Sequence, residues 1–340
     1  IGKISLNPSI KNLPKLDLHH HFDGAFDIDA LYAEAKRRNL PQGKLSAQDF
    51  ADHCRVKPTC TTLTEFLAVF DFFYDIAQDL DFLHGQARTL PARMAADGVI
   101  YLETRFGPHL FTGNRYSAAE VTESVVSGIA TEKTTPVRVI LCGMRNAPVE
   151  HIAELITLYE KFMPRGVCGI DLAGDESRYA CHEYAPVFDR AREAGIPVTI
   201  HAGEASGAQS VRDALDLFHA RRIGHGIRSI EDAALVERLA DEKIGVEVCL
   251  TSNLQTGNAT SYQQHPFMQL KRAGVTVTVN TDDPTVSGIN LSHEWEKAIA
   301  EYGLNSAEQK ELLLNATRVA FCDDALRESL AKRITAHFTT

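Results

Sequence analysis

Histidine and acidic residues follow short apolar runs at several places in this sequence. Three consecutive histidines begin at His19, directly after Lys-Leu-Asp-Leu. Side chains alternate along a strand, so His19 and His21 share one face while His20 points the other way and is predicted to be structural. Two imidazoles on one face can bind one metal ion. A solvated histidine tract is the alternative, and the pair by itself does not decide between the two.

Two further runs end in similar residues. His201 ends an apolar run, and Glu204 follows past a glycine that lets the backbone turn closely. This order suggests a metal ligand beside a group that moves protons, although an acid here also suits a helix N-terminus. Asp282 and Asp283 end a run rich in Val and Thr, where Asp-Asp-Pro in isolation predicts only a turn.

Together these groups indicate zinc chemistry. Zn²⁺ takes nitrogen and oxygen ligands, and Asp282 can complete a set begun by the histidines. Catalytic zinc keeps one position open for water and lowers the pKa of that water. A spare imidazole, His225, and the Glu204 carboxylate can then move protons. The sequence has no H-E-x-x-H, P-loop, G-x-G-x-x-G or P-C-x-x-C signature.

The elements that position these residues read as a barrel. Eight strand candidates lie at residues 15–19, 99–106, 137–144, 167–173, 197–201, 222–225, 244–250 and 275–280. Helical patterns fill most gaps, such as 185–194, 208–218, 230–240 and 265–273, and the first gap reads as several helices, including 64–78 and 84–96. The pattern predicts an α/β fold: one (β/α)₈ TIM barrel domain over 1–340, with a long helical insertion after the first strand and extra C-terminal helices. Barrel enzymes build their sites at the C-terminal strand ends, where the metal-type residues fall.

Composition, net charge and cysteine usage indicate the class of protein and its partners. The 340 residues are 44% hydrophobic and 24% charged, which indicates a globular chain. A net charge of −10 without a dense Lys/Arg cluster argues against nucleic acid as a partner. Seven scattered cysteines without a C-x-x-C pair favour a reducing compartment, the cytoplasm, and no run is long and apolar enough to predict a membrane span. The first residue is Ile rather than Met, which leaves open the removal of an upstream segment.

The sequence resembles the adenosine deaminase family of zinc-dependent barrel hydrolases. The similarity lies in seven segments in the family's order: 13–24, 101–110, 170–176, 201–204, 222–226, 249–257 and 280–284. Residues 250–257 look more like bacterial members than vertebrate ones. The segment 111–116 is shorter than in vertebrate enzymes, so contacts from that loop are not transferred.

The resemblance implies hydrolytic deamination of adenosine, and of 2′-deoxyadenosine, to inosine and ammonia. One zinc ion per chain would be held by His19, His21, His201 and Asp282, and zinc-activated hydroxide would attack purine C6. Glu204 would protonate N1, His225 would orient the hydroxide, and Asp283 would hold both the hydroxide and the N7 edge. Charge stabilisation on both sides of the ring suits this reaction, which breaks aromaticity at C6.

The resemblance also implies substrate contacts. Asp23 would bind the ribose 5′-hydroxyl and Gly174 ring N3, while Phe66 and Phe70 would lie on a helix that covers the nucleoside. Ordinary helix core is the alternative for the two phenylalanines. The expected partner is a small purine nucleoside, with no nucleic acid, membrane or obligatory protein partner.

Other functions stay open at this stage. Deaminases of adenine or of a 5′-modified adenosine are close alternatives, but adenine-type relatives tend to carry Glu in place of Asp23 and Asp in place of Gly224. Two-metal amidohydrolases usually carry a carboxylated Lys at a strand end, whereas the fourth strand here ends Asp-Leu-Ala-Gly. A non-enzymatic relative would have lost a ligand or the glutamate, and none is missing.

Overall fold

The computed structural model describes residues 8–339 and contains, within that part of the chain, eight parallel strands. They are β1 (Lys15–His21), β2 (Val99–Phe106), β3 (Val137–Met144), β4 (Val167–Ala173), β5 (Thr199–Ala202), β6 (Arg222–His225), β7 (Gly245–Val248) and β8 (Thr276–Val279). Each strand pairs with its neighbour in the chain, in two groups, β1-β2-β3-β4 and β5-β6-β7-β8. Nearly every strand residue is buried, because helices cover the outside and side chains fill the inside.

Backbone hydrogen bonds at two seams close these groups into a barrel. Between β4 and β5, the amide of Ile170 donates to the carbonyl of Pro197 at 3.0 Å. Between β8 and β1, the amide of His21 donates to the carbonyl of Asp282 at 2.7 Å, and the amide of Asp282 donates to the carbonyl of His19 at 2.8 Å. The predicted (β/α)₈ barrel is confirmed, and its second seam places Asp282 beside the two histidines.

The helices follow the order that the sequence predicts, with a long insertion after β1 and extra helices at the C-terminus. In the described residues they are α1 (Pro8–Lys11), α2 (Ile28–Arg37), α3 (Ala47–His53), α4 (Leu63–Leu67), α5 (Asp71–Ala77), α6 (Leu80–Ala96), α7 (Ala118–Ala130), α8 (Val149–Phe162), α9 (Ala185–Glu193), α10 (Ala208–Asp216), α11 (Ala233–Asp241), α12 (Leu250–Gln255), α13 (Phe267–Arg272), α14 (Pro284–Ser287), α15 (Leu291–Tyr302), α16 (Ser306–Val319) and α17 (Asp324–His337). In this part of the chain none of them is long and apolar enough to cross a membrane.

Three predicted helices differ from the structure by three residues or more. The helix predicted at 84–96 begins four residues earlier, at Leu80, because the Asp79 side chain accepts from the amide of Phe82 and so caps α6. The single helix predicted at 64–78 is wrong, because the backbone tightens into a turn at residues 68–70 and separates α4 from α5. There Val69 and Phe70 donate to carbonyls three residues back rather than four. The helix predicted from residue 230 begins later, since the Asp232 side chain accepts from the amides of Ala234 and Leu235 and so caps α11.

The first strand is longer than predicted. It continues to His21 because His20 and His21 pair with Thr104 and Arg105 of β2. The extension brings His21 into the same strand as His19, where alternate side chains share one face.

Beneath the strand ends the barrel interior contains buried ion pairs. Arg105 donates to Asp171 at 2.9 Å and to Glu247 at 2.8 Å, and all three side chains are fully buried. Arg222 donates to the other oxygen of Glu247 at 2.5 Å and to Glu103 at 2.6 Å. Buried charges are tolerated only when they are paired in this way. The network therefore fixes the carboxylates of Asp171 and Glu247, which face the strand ends.

Candidate active site

The four side chains expected to bind metal converge at the C-terminal mouth of the barrel. One potential ligand atom from each of them lies within 4.8 Å of the others. Oδ1 of Asp282 lies 3.2 Å from Nε2 of His19 and 3.3 Å from Nε2 of His21. Nε2 of His21 lies 3.1 Å from Nε2 of His201. Zinc bonds to nitrogen and oxygen are about 2.0–2.2 Å long, so ligand atoms about 3 Å apart can hold one ion, which can also take an oxygen as a fifth ligand.

Two carboxylates behind the cluster favour a metal ion as well. Nδ1 of His19 donates to Glu247 at 2.8 Å, and Nδ1 of His201 donates to Asp171 at 2.9 Å. With the proton on Nδ1, each imidazole directs the lone pair of Nε2 into the cluster, as metal-binding histidines usually do. Neither acid is among the site residues predicted from the sequence. Their signal was an acidic residue inside an otherwise apolar buried strand.

Glu204 and His225 lie beside the cluster. Nε2 of His225 is 3.6 Å from Oε2 of Glu204 and 3.9 Å from Oδ2 of Asp282. Burial raises the pKa of Glu204 well above its usual range, and the charges of Asp282 and Glu176 add to that shift. A carboxyl group that keeps its proton near neutral pH can act as a proton donor.

The loop that carries Glu204 is held by Glu176, a third acid that is not among the residues predicted from the sequence. The Glu176 carboxylate accepts hydrogen bonds from the backbone amides of residues 203 to 206, between 2.6 and 3.0 Å. Gly203 has a φ of +67°, and a Cβ there would lie 2.5 Å from Val211. The sharp turn therefore requires glycine, and it brings Glu204 back over the strand end.

The short helix α12 contacts three of these groups from one side. Ser252 donates to Asp282 at 2.6 Å, and Thr256 donates to Glu204 at 3.2 Å. Between them, the side-chain amide of Asn253 lies 3.1 Å from Nδ1 of His225. In the sequence this segment was noted only for its resemblance to the family, and no role was assigned to these three residues.

A cavity of about 490 Å³ opens above the cluster. Its volume lies within the range of small-molecule sites. The residues predicted to contact substrate all line it: Asp23, Phe66, Phe70, Gly174 and Asp283. The hydroxyl of Tyr74 donates to Asp23 at 3.2 Å, and burial raises the pKa of Asp23 to about 6. Oδ1 of Asp23 and Oδ1 of Asp283 are buried without a hydrogen-bond partner, so both are free to form a hydrogen bond with a ligand.

Asp283 is placed by a close approach of the backbone. A Cβ on Gly24 would lie 1.9 Å from Oδ1 of Asp283, so that position has no room for a side chain. Burial raises the pKa of Asp283 well above its usual range, and the charge of Asp282 adds to the shift. Asp283 can therefore keep a proton while its neighbour stays ionised.

A larger cavity of about 700 Å³ lies outside the barrel wall behind β1 and β8. Its lining includes His20, Arg55 and Arg93, but none of the four residues expected to bind the metal ion. Nδ1 of His20 lies 3.0 Å from the Thr104 hydroxyl, so this imidazole points away from the cluster as predicted. The smaller cavity is therefore the candidate active site.

A parallel barrel with a three-histidine, one-aspartate cluster and a buried acid at the mouth defines a metal-dependent hydrolase. A family model described as adenosine deaminase matches residues 14–337. The chain belongs to the adenosine deaminase family, whose members generally bind zinc, and it is a hydrolytic deaminase that acts on adenosine-like substrates.

Relatives and solved structures agree with this family. The adenosine deaminase of Clostridium botulinum (strain Okra / Type B1) is 36% identical over 335 residues, covering 96% of this chain and 100% of the relative. The adenine deaminase of Arthrobacter aurescens has a TM-score of 0.89 at 25% identity, covering 96% of this chain and 99% of the other. The N6-mAMP deaminase of Arabidopsis has a TM-score of 0.84 at 26% identity, with the same coverage. These proteins act on different purines, so the substrate must be argued from the cavity.

Proposed function

We propose that this protein deaminates adenosine, and 2′-deoxyadenosine, to inosine and ammonia. One zinc ion per chain is held by the four clustered residues His19, His21, His201 and Asp282. The observation that carries the proposal is the position of Glu204, a buried acid of raised pKa that lines a nucleoside-sized cavity beside this cluster.

Different residues act on the N1 edge and on the N7 edge of the purine ring. Bound zinc supplies hydroxide at neutral pH by lowering the pKa of water. Glu204 gives its proton to N1 as C6 becomes tetrahedral, and His225 orients the attacking oxygen. Asp283, whose pKa is raised by burial, holds both the hydroxide and the N7 edge. The hydroxyl group formed at C6 then passes its proton to the amino group, and the C6–N bond breaks to release ammonia. A carbonyl at C6 and a proton on N1 remain in inosine, and Glu204 regains its proton from the water of the next cycle.

Asp23 in the cavity wall favours a nucleoside over a 5′-nucleotide. Asp23, held by Tyr74, offers a free oxygen to a 5′-hydroxyl. A 5′-phosphate would bring negative charge against this carboxylate. Among the described residues that line the cavity, Arg178 is the one arginine or lysine, and it already lies 3.4 Å from Asp175.

Free adenine is the second candidate, because an adenine deaminase shares the fold at a TM-score of 0.89. The base alone would leave Asp23 without the hydroxyl that satisfies it, at a cost of about 1–3 kcal/mol. Gly224 also departs from the aspartate of adenine-type relatives. A Cβ at Gly224 would lie 2.9 Å from the ring of His19, so an aspartate there requires His19 to move.

The test compares five substrates with one preparation. Product formation from adenosine, 2′-deoxyadenosine, adenine, AMP and N6-methyl-AMP is followed by chromatography, with and without a chelator. We expect kcat/KM for adenosine to exceed that for adenine and both nucleotides by at least about tenfold, since a lost hydrogen bond to a charged group costs about 1.5–3 kcal/mol. Chelation should abolish turnover and added zinc should restore it. Faster turnover of adenine or of either nucleotide would overturn the proposal.

We also propose that the chain works in the cytoplasm as one barrel domain without an obligatory protein partner. Its seven cysteines are all free, and five of them are buried, as suits a reducing compartment. Limited proteolysis that yields two stable fragments would contradict the single domain.

A further inference from the structure

A chain of hydrogen bonds connects the start of α13 with His225 at the mouth of the barrel. The backbone amide of Phe267 lies 3.1 Å from Nδ1 of His265. Nε2 of His265 lies 3.2 Å from Oδ1 of Asn253, and Nδ2 of Asn253 lies 3.1 Å from Nδ1 of His225. The side chains are almost fully buried: 2% of His265, none of Asn253 and 1% of His225 is exposed.

The first bond fixes the direction of all the others. A backbone amide can only donate, so Nδ1 of His265 accepts and carries no proton. Burial lowers the pKa of His265 to about 4, so the ring is neutral near pH 7 and its single proton is on Nε2. That N–H donates to Oδ1 of Asn253, which leaves the side-chain NH₂ of Asn253 facing His225. The reverse amide orientation would place two donors against each other.

We infer that Asn253 and His265 are positioning residues that fix His225 as the tautomer with its proton on Nε2. The Asn253 NH₂ can only donate, so Nδ1 of His225 must accept. The remaining ring proton is on Nε2, the atom that faces Glu204 at 3.6 Å and Asp282 at 3.9 Å. His225 therefore presents an N–H donor to the cavity.

The donor matters for the proposed function, on which the catalytic part of this inference rests. An N–H at this place can hold the attacking oxygen with a lone pair towards C6. The other tautomer would present a lone pair to that oxygen and to the carboxylate of Asp282. A tautomer held in advance avoids reorganisation during the reaction.

Two substitutions test the assignment. Asn253→Asp replaces the donor that faces His225 with an acceptor, so Nδ1 of His225 should become protonated. His265→Phe removes the bond that orients the amide, so Asn253 can turn over and populate both tautomers. Gln255→Glu is the matched control, because it makes the same amide-to-acid change on α12, where the side chain of Gln255 donates to the carbonyl of Ser287 rather than to His225.

The main readout is the ¹⁵N spectrum of the zinc-loaded protein labelled in histidine, with the His225 signals assigned by their loss in His225→Gln. We expect wild type and Gln255→Glu to show protonated Nε2 and unprotonated Nδ1. Asn253→Asp should show a protonated Nδ1, and His265→Phe should show intermediate shifts. Protonated Nδ1 in the wild type, or an unchanged Asn253→Asp spectrum, would overturn the inference.

Kinetics provide the second readout. Asn253→Asp should lower kcat by about 100-fold or more, the scale of a positioned acid–base group, with KM and zinc content nearly unchanged. His265→Phe should lower kcat less. A purely structural role would instead lower the melting temperature and zinc content together. If no purine is deaminated by the wild type, the proposed function fails, while the ¹⁵N spectrum still decides the tautomer.

Discussion

Oε2 of Glu247 lies 2.8 Å from Nδ1 of His19, and the same oxygen accepts a hydrogen bond from Arg105 at 2.8 Å. Asp171 makes the equivalent pair of contacts, with His201 and with Arg105, both at 2.9 Å. One fully buried guanidinium group thus holds the carboxylates behind two of the clustered histidines. The geometry of the candidate metal site is therefore set by the barrel interior below it.

Asp171→Asn is expected to weaken zinc binding by about 10–100-fold, because the substituted side chain loses the charge that orients and polarises His201. The measurement is competition for zinc with a chelator of known affinity. Glu103→Gln is the matched control, since Glu103 pairs with Arg222 in the same buried network and contacts none of the clustered histidines. Equal loss of zinc affinity in both variants would mean that general destabilisation, rather than His201, is responsible.

Glu204→Gln separates proton transfer from metal binding. The amide keeps the size of the side chain and can still accept from Thr256, but it cannot give a proton to N1. We expect kcat to fall by about two or more orders of magnitude while zinc content and purine affinity are retained. Elemental analysis and equilibrium binding of a purine product check the retained properties. Loss of zinc in this variant would show that Glu204 is a ligand.

The barrel could be predicted because its strands leave a direct trace in the sequence. β2, β3 and β4 are buried on both faces and read as apolar runs with the bounds that the structure shows. The break between α4 and α5 could not be predicted, since residues 64–78 keep an apolar helical spacing through the turn. Only tertiary packing selects the tighter hydrogen bonds at residues 68–70.

The candidate site, like the fold, could be predicted from the sequence only in part. The convergence of the four side chains was predictable because every parallel strand of a barrel ends at one mouth, so residues at strand ends must come together. The supporting contacts join residues that are remote in sequence: His19 and Glu247 are 228 positions apart, and Asn253 and His225 are 28 apart. No local spacing indicates such pairs. The roles of the site residues and the single-domain organisation stay predictions until they are tested.

Asp23 is expected to determine specificity at the 5′ position. 5′-Deoxyadenosine should be turned over about 10–100-fold less efficiently than adenosine, because a buried carboxylate is left without its hydrogen bond. Asp23→Ala should remove most of that difference with zinc still bound. Tyr74→Phe should retain part of the difference between the two nucleosides. In this variant Asp23 is still present and loses only the hydrogen bond from the phenol, which is 3.2 Å long. Values of kcat/KM for both nucleosides check this, and equal values in the wild type would contradict it.

Glu294 is expected to make the stability of the fold depend on pH. It is fully buried in α15, where it accepts a hydrogen bond from the amide of Thr251 at 3.2 Å. Burial raises its pKa from 4.5 to about 7. The folded state therefore keeps a proton that the unfolded chain releases between these values, so the free energy of unfolding should decrease as the pH rises through this window.

Glu294→Gln isolates this effect, because an amide of the same shape can still accept from Thr251 and does not titrate. A shift of this size corresponds to about 3 kcal/mol, so the variant should gain up to that amount on wild type between pH 5 and pH 8. Urea unfolding across this range measures the difference. Glu296→Gln, on the same helix but less buried, should follow the wild-type curve. Parallel curves for wild type and Glu294→Gln would show that Glu294 keeps the same charge in the folded and unfolded states.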